Sequence, residues 1–124
     1  MHIDHINISA PKELLEKVKD FYCAIFGLVD GHRPNFNTPG FWLYAGDNAI
    51  IHLIESDEHY RNEKQGYLDH VAYKATGLKD MVNKLNALRV EYTLSFRPEI
   101  QMTQVFFKDP AGVGVEAKFI NEVI

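Results

Sequence analysis

The sequence has one cysteine, no long apolar run and no surplus of basic residues. A lone thiol, Cys23, cannot close an internal disulfide, so folding has to rest on burial and hydrogen bonding. Cys23 lies inside an apolar helical pattern with nothing nearby to supply the positive surroundings that lower a thiol pKa. It therefore reads as a small core residue and not as a nucleophile. No apolar stretch approaches the roughly 20 residues that cross a bilayer. The N-terminus also lacks the basic flank and apolar run of a secretory signal. The 13 Lys and Arg residues are scattered and outnumbered by 17 Asp and Glu, for a net charge of −4. That balance argues against a phosphate-tracking surface and so against nucleic acid as a partner. What remains is ordinary for a globular chain, with 46% hydrophobic and 24% charged residues in 124 positions. This suffices for one compact domain or for two small halves sharing a core. The expectation is a cytoplasmic protein with no membrane and no nucleic-acid partner.

Two stretches of the chain echo each other: "HIDHINISA" near the start and "GYLDHVAYKA" past the middle. Both place Asp-His ahead of alternating apolar residues, so His5 and His70 take equivalent slots 65 residues apart. The segments that follow match too. In "PKELLEKVKDFYCAIFGL", Leu14, Leu15, Val18, Phe21, Tyr22 and Ile25 form one helical face, with Pro11 at the first helical position and Gly27 as the stop. In "GLKDMVNKLNALRVEY", Leu78, Met81, Val82, Leu85 and Leu88 do the same, and Leu14, Val18 and Phe21 align with Leu78, Val82 and Leu85 at an offset of 64. Each half closes with strand, turn and strand: "FWLYAGDNAIIHLIE" around Gly46-Asp47-Asn48, and "VFFKDPAGVGVEAKF" around Asp109-Pro110-Ala111-Gly112. Segments 29–40 and 93–104 each hold a further strand, with "HRPNFNTPG" mostly loop. The sequence thus predicts an α+β fold of two tandem βαβββ modules in a single domain, 1–124. Module one covers 1–55, an exposed polar connection 56–66, and module two 67–120.

The repeat aligns Trp42 with Phe106, Leu43 with Phe107, Ile51 with Val115 and His52 with Glu116. Strand alternation puts Ile50, His52 and Ile54 on one face, and Gly114, Glu116 and Lys118 on one face. A histidine within "AIIHLIE" needs something to satisfy its ring nitrogens. Taken singly, each histidine could be bonded to a carbonyl and Glu116 could be a surface acid. Equivalent slots in two modules instead suggest a shared purpose. Imidazoles plus a carboxylate suit a divalent metal ion such as Fe, Mn, Ni, Co or Zn. Trp42, Tyr44, Phe106 and Phe107 read mainly as core, and Arg33 and Arg97 as solvated charges. His2, His32 and His59 take no role.

The duplicated module, the paired "DH", the "IIHL" ending the first half and the "DPAGVGVE" ending the second resemble the vicinal oxygen chelate superfamily. That group includes glyoxalase I, extradiol dioxygenases, methylmalonyl-CoA epimerase, fosfomycin-resistance enzymes and bleomycin-resistance proteins. The resemblance spans essentially the whole chain. It implies the glyoxalase/bleomycin-resistance/dioxygenase fold, a cup-shaped mixed sheet with helices outside and a metal in the cup. It also implies metal ligands at His5, His70 and Glu116. The fourth position, Glu or Gln in several isomerase-type members, is His52 here, and a three-His-one-Glu site follows. Family members of this length are commonly homodimers, sometimes with modules paired across subunits.

Such a site would chelate neighbouring oxygens of a small-molecule substrate and stabilise charge developing on them, as an isomerase or lyase, with Glu116 and His52 as catalytic residues. Two alternatives stand beside it. One is an Fe(II) extradiol-type dioxygenase using His5, His70 and Glu116, with His52 behind them. The other is a metal-free binding or resistance protein that sequesters a small hydrophobic ligand. Glutathione-adduct isomerisation is not the first expectation, since no glutathione-binding signature is recognisable.

Overall fold

The computed structural model describes residues 1–58 and 64–124. By its internal contacts the chain divides into two compact units, Met1–Glu63 (unit 1) and Lys64–Ile124 (unit 2). Unit 1 contains β1 (Ile6–Ala10), α1 (Lys12–Phe26), β2 (Val29–Gly31), β3 (Gly40–Ala45) and β4 (Asn48–Glu55). Unit 2 contains β5 (His70–Ala75), α2 (Leu78–Ala87), β6 (Tyr92–Arg97), β7 (Met102–Lys108) and β8 (Gly114–Ile120), with a short 3₁₀ turn at Pro98–Ile100. Each unit has its own mixed four-stranded sheet, in the orders β1-β4-β3-β2 and β5-β8-β7-β6. The first and last strands of each unit run parallel and the other pairs antiparallel. The βαβββ duplication expected from the sequence is therefore present. The segment from 59 to 63, including His59, lies outside the described residues. No helix among the described residues is long and apolar enough to cross a membrane.

Register confirms the repeat to the residue. Ile6 pairs with Ile51 in unit 1 and Val71 with Val115 in unit 2. The offset is thus 65 on the first strands and 64 on the last. Unit 2 makes the step from strand to helix with one residue fewer, by turning through Gly77 at φ +86.

Helical periodicity decides which sheet face is covered. Leu14, Leu15, Val18, Phe21, Tyr22 and Ile25 of α1 are all buried. On the strands of the same unit, Ile8, Ala10, Leu43, Ile51 and Leu53 are buried as well. In unit 2 the buried residues include Leu78, Met81 and Leu85 on α2, with Val105, Phe107, Val115, Ala117 and Phe119 on the strands. Each large apolar side chain buried this way contributes about 1.5–3 kcal/mol, and the alternate strand residues are left on the other face. Pro11 is the N-cap of α1, one residue before the helix proper, and Gly27 ends it in the left-handed region at φ +66. Leu88, expected on the apolar face of α2, falls at the C-cap and is 49% exposed, because the helix has already ended. Val82 is half-buried.

Two expectations about side chains are corrected. Cys23 is half-buried on the flank of α1, with burial and then Asp30 raising its thiol pKa. Among the four aromatics, Phe107 alone is core; Trp42, Tyr44 and Phe106 are half-buried on the faces opposite the helices.

At the α2 N-terminus the cap residue is Gly77, which offers no side chain to cap the helix. Glu122, 44 residues later, accepts hydrogen bonds from the N–H groups of Leu78 (2.8 Å) and Gly77 (3.1 Å) instead. A carboxylate there satisfies orphan donors and complements the helix dipole. The Asp109 turn is held in a similar way. Its buried Oδ1 accepts from the N–H groups of Ala111 (2.8 Å) and Val113 (3.0 Å), so the "DPAG" stretch sets the entry into β8.

Candidate functional site

Unit 2 brings His70 and Glu116 together. His70 opens β5 opposite Gly114 of β8, and Glu116 lies two residues further along the same face. A Cβ at position 114 would fall 2.1 Å from the Asp69 carbonyl oxygen and 3.1 Å from His70 Cβ. Only glycine lets the start of β5 come this close. His70 Nε2 is then 3.2 Å from Glu116 Oε1, and His70 Nδ1 is 2.8 Å from Asp69 Oδ2. With a carboxylate at each ring nitrogen, the His70 pKa is raised, by the Asp69 hydrogen bond first and by Glu116 after it. Glu116 is only 6% exposed, and its other oxygen accepts a hydrogen bond from Gln104 Nε2 at 3.3 Å. Phe106, opposite Glu116 on β7, meets the His70 ring edge to face at 5.8 Å.

Unit 1 repeats half of this. His5 Nδ1 is 2.7 Å from Asp4 Oδ2, and this hydrogen bond is the main cause of a lowered Asp4 pKa. The His5 and His70 side chains are equally accessible, at 37%. Where Glu116 stands in unit 2, unit 1 has His52, with its ring between two others. His5 stacks on it at 3.6 Å and 9°, and Trp42 on its other side at 4.2 Å and 15°. Burial first, and the charge of His5 next, lower the His52 pKa, so this imidazole favours its neutral form. The stack has a geometric consequence for metal binding. A histidine ligates through a lone pair in its ring plane, about 2.1 Å from the metal. The two stacked rings, centroids 3.6 Å apart and planes 9° from parallel, have no common in-plane point at that distance. In this conformation His5 and His52 cannot both ligate one ion; one ring has to turn first.

The expected alternation along β4 is also interrupted. Leu43 pairs with Ile51 and Tyr44 with Ala49, which leaves Ile50 as an extra, bulged residue beside His52. The bulge borders a cavity of about 440 Å³ lined by Asp4, Trp42, Tyr44, Ile50 and His52 among others, His2 included. A second cavity of about 920 Å³ in unit 2 is lined by residues that include Asp69, Tyr92, Thr93, Phe106, Lys108 and Gly114. Arg33, expected in solvent, is half-buried with its guanidinium 4.8 Å over the Phe36 ring, while Arg97 is exposed. His32 gives its carbonyl oxygen to the Tyr44 hydroxyl at 2.6 Å.

The four expected ligand positions thus fall into two pairs, His5 with His52 and His70 with Glu116. Within each unit, no three or more His, Cys, Asp or Glu residues gather into a metal-holding group among the described residues. The donors present nevertheless fit a divalent transition ion in chemistry. His5 and His70 each have Nδ1 tied to a carboxylate, an arrangement that fixes the ring and leaves Nε2 as the nitrogen able to ligate. The buried Glu116 carboxylate beside His70 Nε2 favours a positive charge between them, as a proton or as a metal ion. Sequence reasoning passed over Asp4, Asp69 and Gln104. The signal for the two aspartates was the "DH" pair itself.

The comparisons with known proteins agree with this architecture. No family model matches the chain. A curated relative, Glyoxylase I 4 of Arabidopsis thaliana, is 26% identical over 124 residues, covering 94% of this chain and 71% of that protein. Among solved structures, the glyoxylase/bleomycin resistance protein/dioxygenase domain of Frankia sp. superposes with a TM-score of 0.77 at 16% identity, over 96% of this chain and 97% of that one. The fosfomycin resistance protein FosX of Listeria monocytogenes, as a point mutant complexed with Mn(II) and 1S,2S-dihydroxypropylphosphonic acid, superposes with a TM-score of 0.72 at 16% identity, over 96% and 92%. The fold is that of the glyoxalase, bleomycin-resistance and dioxygenase proteins. The resemblance to the vicinal oxygen chelate superfamily read from the sequence is borne out by this fold and by the curated relative.

Proposed function

We propose that the protein is a metal-dependent enzyme of lyase or isomerase type, acting on neighbouring oxygens of a small substrate. The observation that carries this reading is the His70–Glu116 pair at 3.2 Å, with Asp69 bonded behind the histidine. The name of the curated relative and the Mn(II) and dihydroxy acid in the FosX crystal support it. His5, His70 and Glu116 would hold the ion. A divalent ion held there would supply positive charge to stabilise negative charge developing on the substrate oxygens, as an oxyanion or enediolate. The chain's own contribution is orientation and proton transfer. Asp4 and Asp69 fix the rings of the two ligand histidines, and Gln104 holds one oxygen of Glu116. His52, kept neutral by burial and by His5, serves as the base that accepts a proton from carbon and returns it. The reading includes a homodimer working in the cytoplasm.

The His5–His52 stack favours a second reading, in which the same three ligands form the two-His-one-carboxylate face of an Fe(II) dioxygenase and His52 acts from behind. Titration of the purified protein with Mn(II) and with Fe(II) under argon tests the shared premise. Micromolar binding is expected for the wild type, with losses on the order of 100-fold in His5→Ala and His70→Ala and little loss in His52→Ala. Failure of both ions to bind ends both readings. A loss in His52→Ala equal to that in His5→Ala makes His52 a fourth ligand. Consumption of O₂ with a catechol would select the dioxygenase.

A further inference from the structure

The face of unit 2 that carries His70 and Glu116 also carries two lysines directly opposite each other. Lys74 of β5 pairs with Lys118 of β8, one strand repeat beyond the Ala72–Glu116 pair. Gln104 of β7 continues the row on the other side of Lys118, and Ser95 of β6 follows it. Like charges set directly across two strands repel. The chain has 17 acidic side chains, yet among the described residues the lysines that form ion pairs are Lys19 and Lys84, while Lys74 and Lys118 have no carboxylate partner. Lys118 is moreover half-buried, which raises the cost of leaving its charge unmatched.

The other half of the repeat shows that the fold does not require this. At the offsets of 65 and 64, Lys74 corresponds to Ser9 and Lys118 to Ile54, a pair in register on β1 and β4. Gln104 corresponds to Gly40, again in register with Ile54. Unit 1 builds the same ladder from an uncharged row. The cationic row therefore departs from the repeat on the face where Glu116 replaces His52, and next to it.

We infer that Lys74 and Lys118 form a seat for an anionic group, so that the substrate of the proposed site carries an acid group. The inference rests on the functional reading above and adds the substrate's chemical class. Along β8 the seat is two residues from Glu116, roughly 7 Å. The acid group is therefore separated by a few bonds from the oxygens reacting at Glu116. The ammonium groups supply charge-assisted hydrogen bonds that a carboxylate, phosphate or phosphonate can accept, and Gln104 and Ser95 add neutral polar groups to the row.

Titration with inorganic phosphate and, separately, with acetate, followed by amide chemical shifts, tests the seat without metal or substrate. The wild type should bind at least one of them, with shifts centred on residues 74 and 118. The Lys74→Gln/Lys118→Gln double variant should bind about tenfold more weakly or worse, while Lys84→Gln on the surface of α2 should match the wild type. Loss with phosphate alone assigns the seat to phospho or phosphono acids, and loss with both assigns it to acids generally. The double variant should also unfold at a higher temperature, since it removes the repulsion. No binding of either anion by the wild type, or equal binding by the double variant, overturns the inference. Mn(II) titration of the same double variant separates the two claims. Intact metal binding with lost anion binding supports both, while absence of metal binding in the wild type ends the functional reading and leaves the anion result standing.

Discussion

In unit 1 the last strand carries His52 flat beneath His5; in unit 2 the same position carries Glu116, its carboxylate facing the edge of His70. His5, just ahead of β1, and His70, at the start of β5, each have an aspartate on Nδ1 and the same side-chain exposure. The scaffold is thus repeated and the partner is not. The difference is electrostatic in origin. Burial first and the neighbouring His5 imidazole next lower the His52 pKa, whereas an imidazole between two carboxylates favours charge, and the His70 pKa rises. One unit offers a stacked neutral ring and the other a cation-seeking pair.

Making unit 2 resemble unit 1 should have the largest effect. Glu116→His removes the carboxylate and is expected to lower Mn(II) affinity on the order of 100-fold or more, read by calorimetry. Retention of affinity would mean that the two partners are interchangeable. Next come the aspartates. Asp69→Asn and Asp4→Asn should each cost roughly 10–100-fold in metal affinity, because each frees a ligand ring to rotate. Equal losses support ligation by both units, while a loss in Asp69→Asn alone would restrict the metal to unit 2.

The same pair of variants sharpens the pH dependence. A ligand histidine must be deprotonated, so metal affinity should fall with decreasing pH, beginning above the ordinary imidazole value of 6.5 because the His70 pKa is raised. Stability of the metal-free protein should run the other way. The His70 contribution is present in full below 6.5 and lost as pH rises through the raised value. Asp69→Asn should move both transitions to lower pH, whereas Asp4→Asn should leave the His70 transition unchanged. The smallest effect is expected at the helix ends. Glu122→Ala should cost about 1 kcal/mol in denaturant unfolding, since it uncaps α2.

What could be read from the sequence follows the range of the interactions. The duplication was legible because helical and strand periodicities recur at nearly constant offset. That constancy picked out His5, His70, His52 and Glu116 and placed the last three on strands β5, β4 and β8, whereas His5 falls one residue ahead of β1. Alternation should also have separated Phe107 from Trp42 and Phe106, but the bulk of the aromatics suggested core for most of them. The His5–His52–Trp42 stack was not legible, since it depends on side-chain rotation and on the bulge at Ile50. Asp4 and Asp69 stood in plain view beside their histidines, yet adjacency in sequence does not say which ring nitrogen a carboxylate meets. Lys74 and Lys118 lie far apart in the chain, and only the parallel register of β5 and β8 makes them opposite.

The Glu122 cap also bears on the order of events during synthesis. All of unit 1's described strands and its helix are translated before unit 2 begins, so that half can pack early. The α2 helix emerges with its first N–H groups unmet and stays so until a residue 44 positions later is added. Gly114 and Glu116 also arrive long after His70. A nascent chain halted near residue 110 would hold a folded first half and a second half lacking both its helix cap and the Glu116 carboxylate beside His70. Arrest at that length, followed by limited proteolysis, should cut the second half and spare the first.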